Sequence, residues 1–149
     1  MLLDLVKPVE HVALGQVWKC GAKLGFPKRI LVLALEACAF ARRLSYKGAV
    51  SEVAITATAI LAGGGMATDL LFVSLVEAVD GVLRRHEEAA TETTLRCYMI
   101  VDDIKFTVEG QETRVAATLP RVAEDAVRTL EDCLNMQVSR NTHVSSEKL

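Results

Sequence analysis

The chain has little of what several common chemistries need. Its 149 residues hold four cysteines, three histidines, three prolines and only 5% aromatic residues. The cysteines, Cys20, Cys38, Cys97 and Cys133, are widely scattered, with no CxxC pair and no Cys/His cluster. That excludes a zinc site of the usual spacing. Their placement in apolar or helical stretches predicts reduced core thiols of an intracellular protein, not disulfides. The formal net charge of −2 excludes the strongly basic field of a self-sufficient nucleic-acid binder. Long hydrophobic runs are also missing. The longest uncharged stretch, residues 53–68, is sixteen residues long, is interrupted by Gly63-Gly64-Gly65 and is closed by Asp69. A spanning helix needs about 20 apolar residues, so no membrane partner is expected. Asp4 and Lys7 interrupt the opening apolar run, so no signal peptide is expected. There is no low-complexity tract and no internal repeat.

What is present is a globular composition. Hydrophobic residues make up 51% of the chain and charged residues 24%, enough to build one core at this length. Residues 2–7 read as a strand that Pro8 ends, because proline has no N–H to donate to the ladder. Residues 11–24 read as a helix with Val12, Leu14, Val17 and Trp18 on its apolar face. After Gly25-Phe26-Pro27, a second helix runs over about residues 28–44. Ile30, Leu31, Leu33, Ala34, Ala37, Cys38 and Ala41 make it apolar nearly all round, which predicts substantial burial. Arg42-Arg43 close it near the negative end of its dipole, with phosphate as the other partner they could meet. Tyr46-Lys47-Gly48-Ala49 reads as a turn, and the β-branched residues of 50–61 as an extended, hairpin-like flap.

The glycine triplet at 63–65 precedes the longest apolar helix, residues 66–86. An acidic connector follows, then two β-rich stretches, 96–100 and 104–108, on either side of Val101-Asp102-Asp103. Glu109-Gly110-Gln111 is an exit turn. A helix over 112–134 carries Val115, Leu119, Val122, Ala126, Val127 and Leu130 inward, with Pro120 placed to split it. Residues 136–144 read as a last strand or strand pair, and residues 145–149 as a polar tail. The predicted order is β–α–α–(ββ)–α–β–β–α–β. It is an α+β domain over residues 1–144, an antiparallel sheet backed by helices.

Two features carry possible chemistry. Asp102 and Asp103 are adjacent carboxylates at a hairpin tip. Their repulsion calls for a cation or for solvent, and a plain solvated Asp-Asp turn also accounts for them. Asp4 sits within a strand, where a carboxylate is costly unless it is exposed, paired or metal-bound. If the first strand lies beside the hairpin, Asp4 and Asp102 meet at one sheet edge. Three carboxylates there make a hard-oxygen site suited to Mg2+, the donor set of two-metal phosphoryl transfer.

With these residues in place, the chain resembles the palm of a retroelement reverse transcriptase, an RNA-directed DNA polymerase. Asp4-Leu5-Val6-Lys7-Pro8-Val9-Glu10-His11-Val12 is similar to the first palm motif, and the stretch from Leu61 to Phe72 to the second, a Pro-Gln-Gly loop leading into a Leu-Leu-Phe helix start. Ile100-Val101-Asp102-Asp103 is similar to the third motif, the Tyr-x-Asp-Asp hairpin. Met136-Gln137-Val138-Ser139-Arg140-Asn141-Thr142 resembles the fourth. The segments follow in the family's order over nearly the whole chain. The resemblance implies that Asp4, Asp102 and Asp103 are catalytic and bind two Mg2+ ions, with Mn2+ as a substitute. It implies that Gly63 and Gly64 lie where template and nucleotide approach, and that Val9 stands near the position that excludes a 2′-hydroxyl. Implied partners are an RNA or DNA template-primer and a dNTP. The chain also departs from the pattern. Gly63 stands for Gln, Ile100 for Tyr, Val9 for the aromatic gate and Thr142 for Lys, and the family's N-terminal fingers part and its thumb are not represented. The resemblance therefore leaves two expectations of different class: an impaired nucleotidyltransferase, or an inactive remnant that acts as a packing module. A third, another palm-type enzyme such as a nucleotidyl cyclase, also uses strand carboxylates.

Overall fold

The computed structural model describes residues 1–61, 64–87, 93–101 and 103–139. The chain forms two compact units, one of residues 1–8 with 75–149 and one of residues 9–74. The α+β class and the antiparallel sheet are as the sequence predicts.

The first unit is built on a three-stranded antiparallel sheet. Its strands are β1 (Leu2–Asp4), β4 (Thr93–Ile100) and β5 (Asp103–Gly110), in the order β1-β5-β4, while β2 (Ser45–Tyr46) and β3 (Ala49–Val50) belong to the second unit. Alternation decides its faces. Leu3, Leu95, Ile104 and Phe106 are buried on one face, while Arg96, Tyr98, Ile100 and Lys105 are exposed on the other. Against the apolar face lie the C-terminal part of α4 (Ala67–Glu87) and α5 (Glu112–Arg128), the latter continued by a π-helical turn, Thr129–Cys133. Val79, Val82, Phe106, Ala126 and Leu130 close on one another there. This is the core of the unit.

Arg85 of α4 donates through Nε and Nη2 to the Asp125 carboxylate of α5, at 2.9 and 3.2 Å, and His86 Nε2 lies 3.1 Å from Asp125 Oδ2. Burial raises the Asp125 pKa, but hydrogen bonds and charge from Arg85 and then His86 outweigh it, and the carboxyl is held below its ordinary value. The two helices are thus joined at their polar rim as well as through the core.

Pro120 does not split α5. It sits on the exposed side, where the carbonyl that loses its partner can be solvated. After the π-helical turn, Asn135 takes a left-handed φ of 53°, which Asn tolerates. The chain then returns to the outer edge of β1. Leu5 bridges Val138, Val6 N–H donates to Gln137 O at 2.9 Å, and Ser139 N–H donates to Asp4 O at 2.7 Å. The predicted last strand is thus a short bridge, and its residues from 140 onward lie outside those described. The first strand also ends earlier than residue 7, because Lys7 adopts φ 47° and turns the chain into α1 (Pro8–His11).

In the second unit, α2 (Leu14–Lys23) packs on α3 (Lys28–Ala39). Gly21 permits the approach, since a Cβ there would lie 2.8 Å from Leu31 Cδ2. Two sequence expectations fail here. Trp18 is exposed, leaving Leu14 and Val17 as the buried positions of α2, with Val12 just before it. Helix α3 stops at Ala39 rather than about residue 44 and buries only Leu31 and Cys38, while Ile30, Val32 and Leu33 face solvent. A helix apolar all round has no pattern that says which stripe a small unit will cover. The flap is a hairpin, but its strands are β2 (Ser45–Tyr46) and β3 (Ala49–Val50), centred earlier than residues 50–61. Cys20 and Cys38 are buried as expected, Cys97 is half-buried, and Cys133 is exposed instead of lying in the core. Among the described residues no helix is long and apolar enough to cross a membrane.

Candidate functional site

The site is a consequence of strand register. β1 pairs antiparallel with β5, and Leu2, Leu3 and Asp4 lie opposite Lys105, Ile104 and Asp103. Met1 and Phe106 exchange both N–H···O bonds, each at 2.9 Å. Because such pairs alternate along an antiparallel ladder, Leu3–Ile104 is the next hydrogen-bonded pair and Asp4–Asp103 is a non-hydrogen-bonded one. In that class the Cα atoms are only about 4.5 Å apart and the side chains stand closest. The same parity turns the Asp4 carbonyl outward, where Ser139 N–H meets it.

Asp4 and Asp103 therefore stand side by side on one face, both half-buried. Like charges directly opposite in a sheet are destabilising. Among the described residues, neither carboxylate has an ion pair or side-chain hydrogen bond to relieve the repulsion. A narrow, unneutralised carboxylate pair is a donor set that fits a divalent cation. No group of three potential metal ligands comes together among the described residues. Asp102, the expected partner of Asp4, lies outside them, and the residue that the register sets opposite Asp4 is Asp103.

The hairpin tip carries a backbone signal. Ile100 opposite Asp103 is the last pair, which leaves a two-residue loop. Such loops need a positive φ at their first residue and usually place Asn, Asp or Gly there. Here the residue is Val101, at φ 55°. A β-branched side chain in the left-handed region costs about 1–2 kcal/mol, and strain of this kind gathers at functional turns. Val101→Gly should therefore raise stability by about 1 kcal/mol, or Tm by about 3 °C, in a thermal melt. A fall in Tm would show that the valine is not strained.

Register also identifies neighbours that sequence reading passed over. Tyr98 and Lys105 lie opposite each other, one row along from Ile100 and Asp103 on the same exposed face. Counting by twos from the Asp pair would have found them. Cys97 belongs to the apolar face. Burial, and then the charge of Asp80, push its thiol up to about 11, so it stays protonated and is a poor nucleophile near neutrality.

The remaining expected residues lie in the second unit. Val9 is half-buried in α1, and its carbonyl accepts from Ile60 N–H at 2.7 Å. Gly64 N–H donates to Leu61 O at 2.9 Å, and a Cβ on Gly64 would lie 2.9 Å from that same oxygen. The turn before α4 thus itself requires glycine at 64. Gly63 lies outside the described residues. Compared with protein-family models, curated proteins and solved structures, the chain gives no match.

Proposed function

We propose that the chain is a polymerase palm of the reverse-transcriptase type and that it performs RNA-directed nucleotidyl transfer, with capacity reduced by its departures from the family pattern. One observation carries the reading. A strand bearing Asp4 lies beside the hairpin that bears Asp103, and the register sets the two residues opposite each other on the same sheet face. A long helix preceded by a glycine turn, placed between the two strands in sequence, supports the same reading.

Asp4 and Asp103, with Asp102, are the groups that would hold Mg2+. When bound, two such ions activate a primer 3′-hydroxyl and neutralise the triphosphate of a dNTP. The chain's own contribution is positional. Strand pairing fixes both carboxylates on rigid backbone, and the strained Val101 turn sets the tip. Ile100, Val9, Gly63 and Thr142 lack the groups that the family uses for nucleotide contact, ribose discrimination and proton donation, so slow extension with weak rejection of ribonucleotides is expected.

The purified protein should extend an oligo-dT primer on poly-rA with Mg2+ or Mn2+. No extension with either ion, in a sample whose circular dichroism shows it folded, would sink the active reading. The inactive, packing-module reading would then stand, and the same four substitutions favour it.

A further inference from the structure

The net charge of −2 hides a separation. Residues 9–74 contain seven Lys or Arg against four Asp or Glu, while the rest of the chain holds ten against fifteen. The excess is concentrated between Glu36 and Glu52, where Arg42, Arg43 and Lys47 occur without a single acidic residue. Those residues form one structure. Past the end of α3 the chain folds into an antiparallel ribbon. Arg42 and Ala54 exchange two backbone hydrogen bonds at 2.9 and 2.8 Å, Ser51 N–H donates to Leu44 O at 2.9 Å, and β2 pairs with β3. The pairing sum shifts by one between Ser51 and Ala54, so the second strand carries a bulge. Lys47 and Gly48, at φ 50° and 85°, make the two-residue turn at the tip, where both positions need positive φ.

The cations on this ribbon differ in role. Arg42 Nη2 donates to the Cys38 and Ala37 carbonyls and caps the end of α3. Arg43 is exposed and has no carboxylate partner among the described residues. The Lys47 ammonium lies 5.3 Å from the centroid of the Tyr46 ring. Tyr46 is 74% exposed, and Phe40, at the root of the ribbon, is 67% exposed. Exposed aromatic residues with cations on the same ribbon, where the one acid is Glu52 in the bulge across from Arg43, form a combination that binds single-stranded nucleic acid: bases stack on the rings and phosphates meet the ammonium and guanidinium.

We infer that the ribbon of residues 40–50 is a metal-independent binding surface for single-stranded nucleic acid, with Phe40 and Tyr46 as stacking residues and Arg43 and Lys47 as phosphate contacts. The choice of nucleic acid over another anionic surface rests on the polymerase reading. An anionic membrane is the other candidate, because Leu44 and Val50 are exposed on the same ribbon, and the vesicle arm of the test separates the two.

The test measures fluorescence anisotropy of a labelled 20-mer of dT or rA against the full chain in EDTA, over a range of NaCl concentrations. Tyr46→Ala and Phe40→Ala should each weaken binding by about tenfold or more, and Tyr46→Phe should retain it. Arg43→Ala combined with Lys47→Ala should flatten the salt slope by about 1.4, from about 0.7 per phosphate contact. Wild-type binding that all these variants retain would overturn the inference, as would a wild type that does not bind the oligonucleotide. Ribbon-dependent binding to phosphatidylserine vesicles without oligonucleotide binding would assign the surface to membranes and overturn it too. Primer extension separates the two claims. Ribbon-dependent binding without extension keeps this inference and defeats the polymerase activity, whereas extension by a protein whose ribbon variants bind normally does the reverse.

Discussion

Asp103→Asn and Asp4→Asn should each lower primer extension by at least about a thousandfold while making the metal-free protein more stable. The two effects have one origin. Asp4 and Asp103 lie opposite each other on a narrow rung of the β1–β5 ladder, and among the described residues neither forms an ion pair or a side-chain hydrogen bond. Removing one charge removes a repulsion worth up to about 1 kcal/mol, a rise in Tm of about 3 °C. Removing it also removes a ligand for the cations that stabilise charge in phosphoryl transfer. That contribution is several kcal/mol, and about 4 kcal/mol corresponds to the stated loss of rate. A residue kept for stability would show the opposite pattern, so melting curves in EDTA and extension rates on the same samples separate a functional pair from a structural one. If the Asn variants melt lower and extend normally, the pair has no catalytic role.

Phe106→Ala should have the largest effect on folding, a loss of about 3–5 kcal/mol in chemical denaturation. Phe106 is 1% exposed at the centre of β5, the strand that pairs with both β1 and β4. It packs against Val79 and Val82 of α4, Ala126 of α5 and Leu130 of the π-helical turn. No neighbouring element can move to fill the space without giving up strand pairing or the Arg85–Asp125 link. A domain of this size has about 5–15 kcal/mol in all, so the variant should be largely molten or insoluble at 37 °C. A loss below about 1 kcal/mol would mean that the sheet–helix core is not where the unit's stability resides.

Much of the first unit is legible in the sequence because its elements obey simple periods. The β-formers of residues 96–100 and the alternation of 104–108 mark both hairpin strands, each of which extends further in the fold, and the long apolar helix before them is found to within a residue at each end. The pairing of β1 with the hairpin is a long-range contact that no local pattern encodes. The sequence offers it only as a condition, under which Asp4 would meet Asp102. The identity of the partner did not follow, since only the register makes it Asp103. The second unit reads less well. Helix α3 is apolar on every side, so periodicity cannot say which side is covered, and Leu33, Phe40 and Leu44 are exposed. Its basic ribbon was obscured by a net charge summed over the whole chain. The strain at Val101 is invisible in sequence, because a valine in a strand-rich stretch predicts extended backbone.

The claim that the Asp4–Asp103 pair holds a divalent cation is tested most directly by melting wild type, Asp4→Asn and Asp103→Asn in EDTA and again in saturating Mn2+. In EDTA the Asn variants should melt higher. In Mn2+ at about a hundred times its dissociation constant, wild type should gain about 2.7 kcal/mol and rise above both variants, which should barely respond. Parallel shifts in all three proteins, or no shift in wild type, would contradict the account.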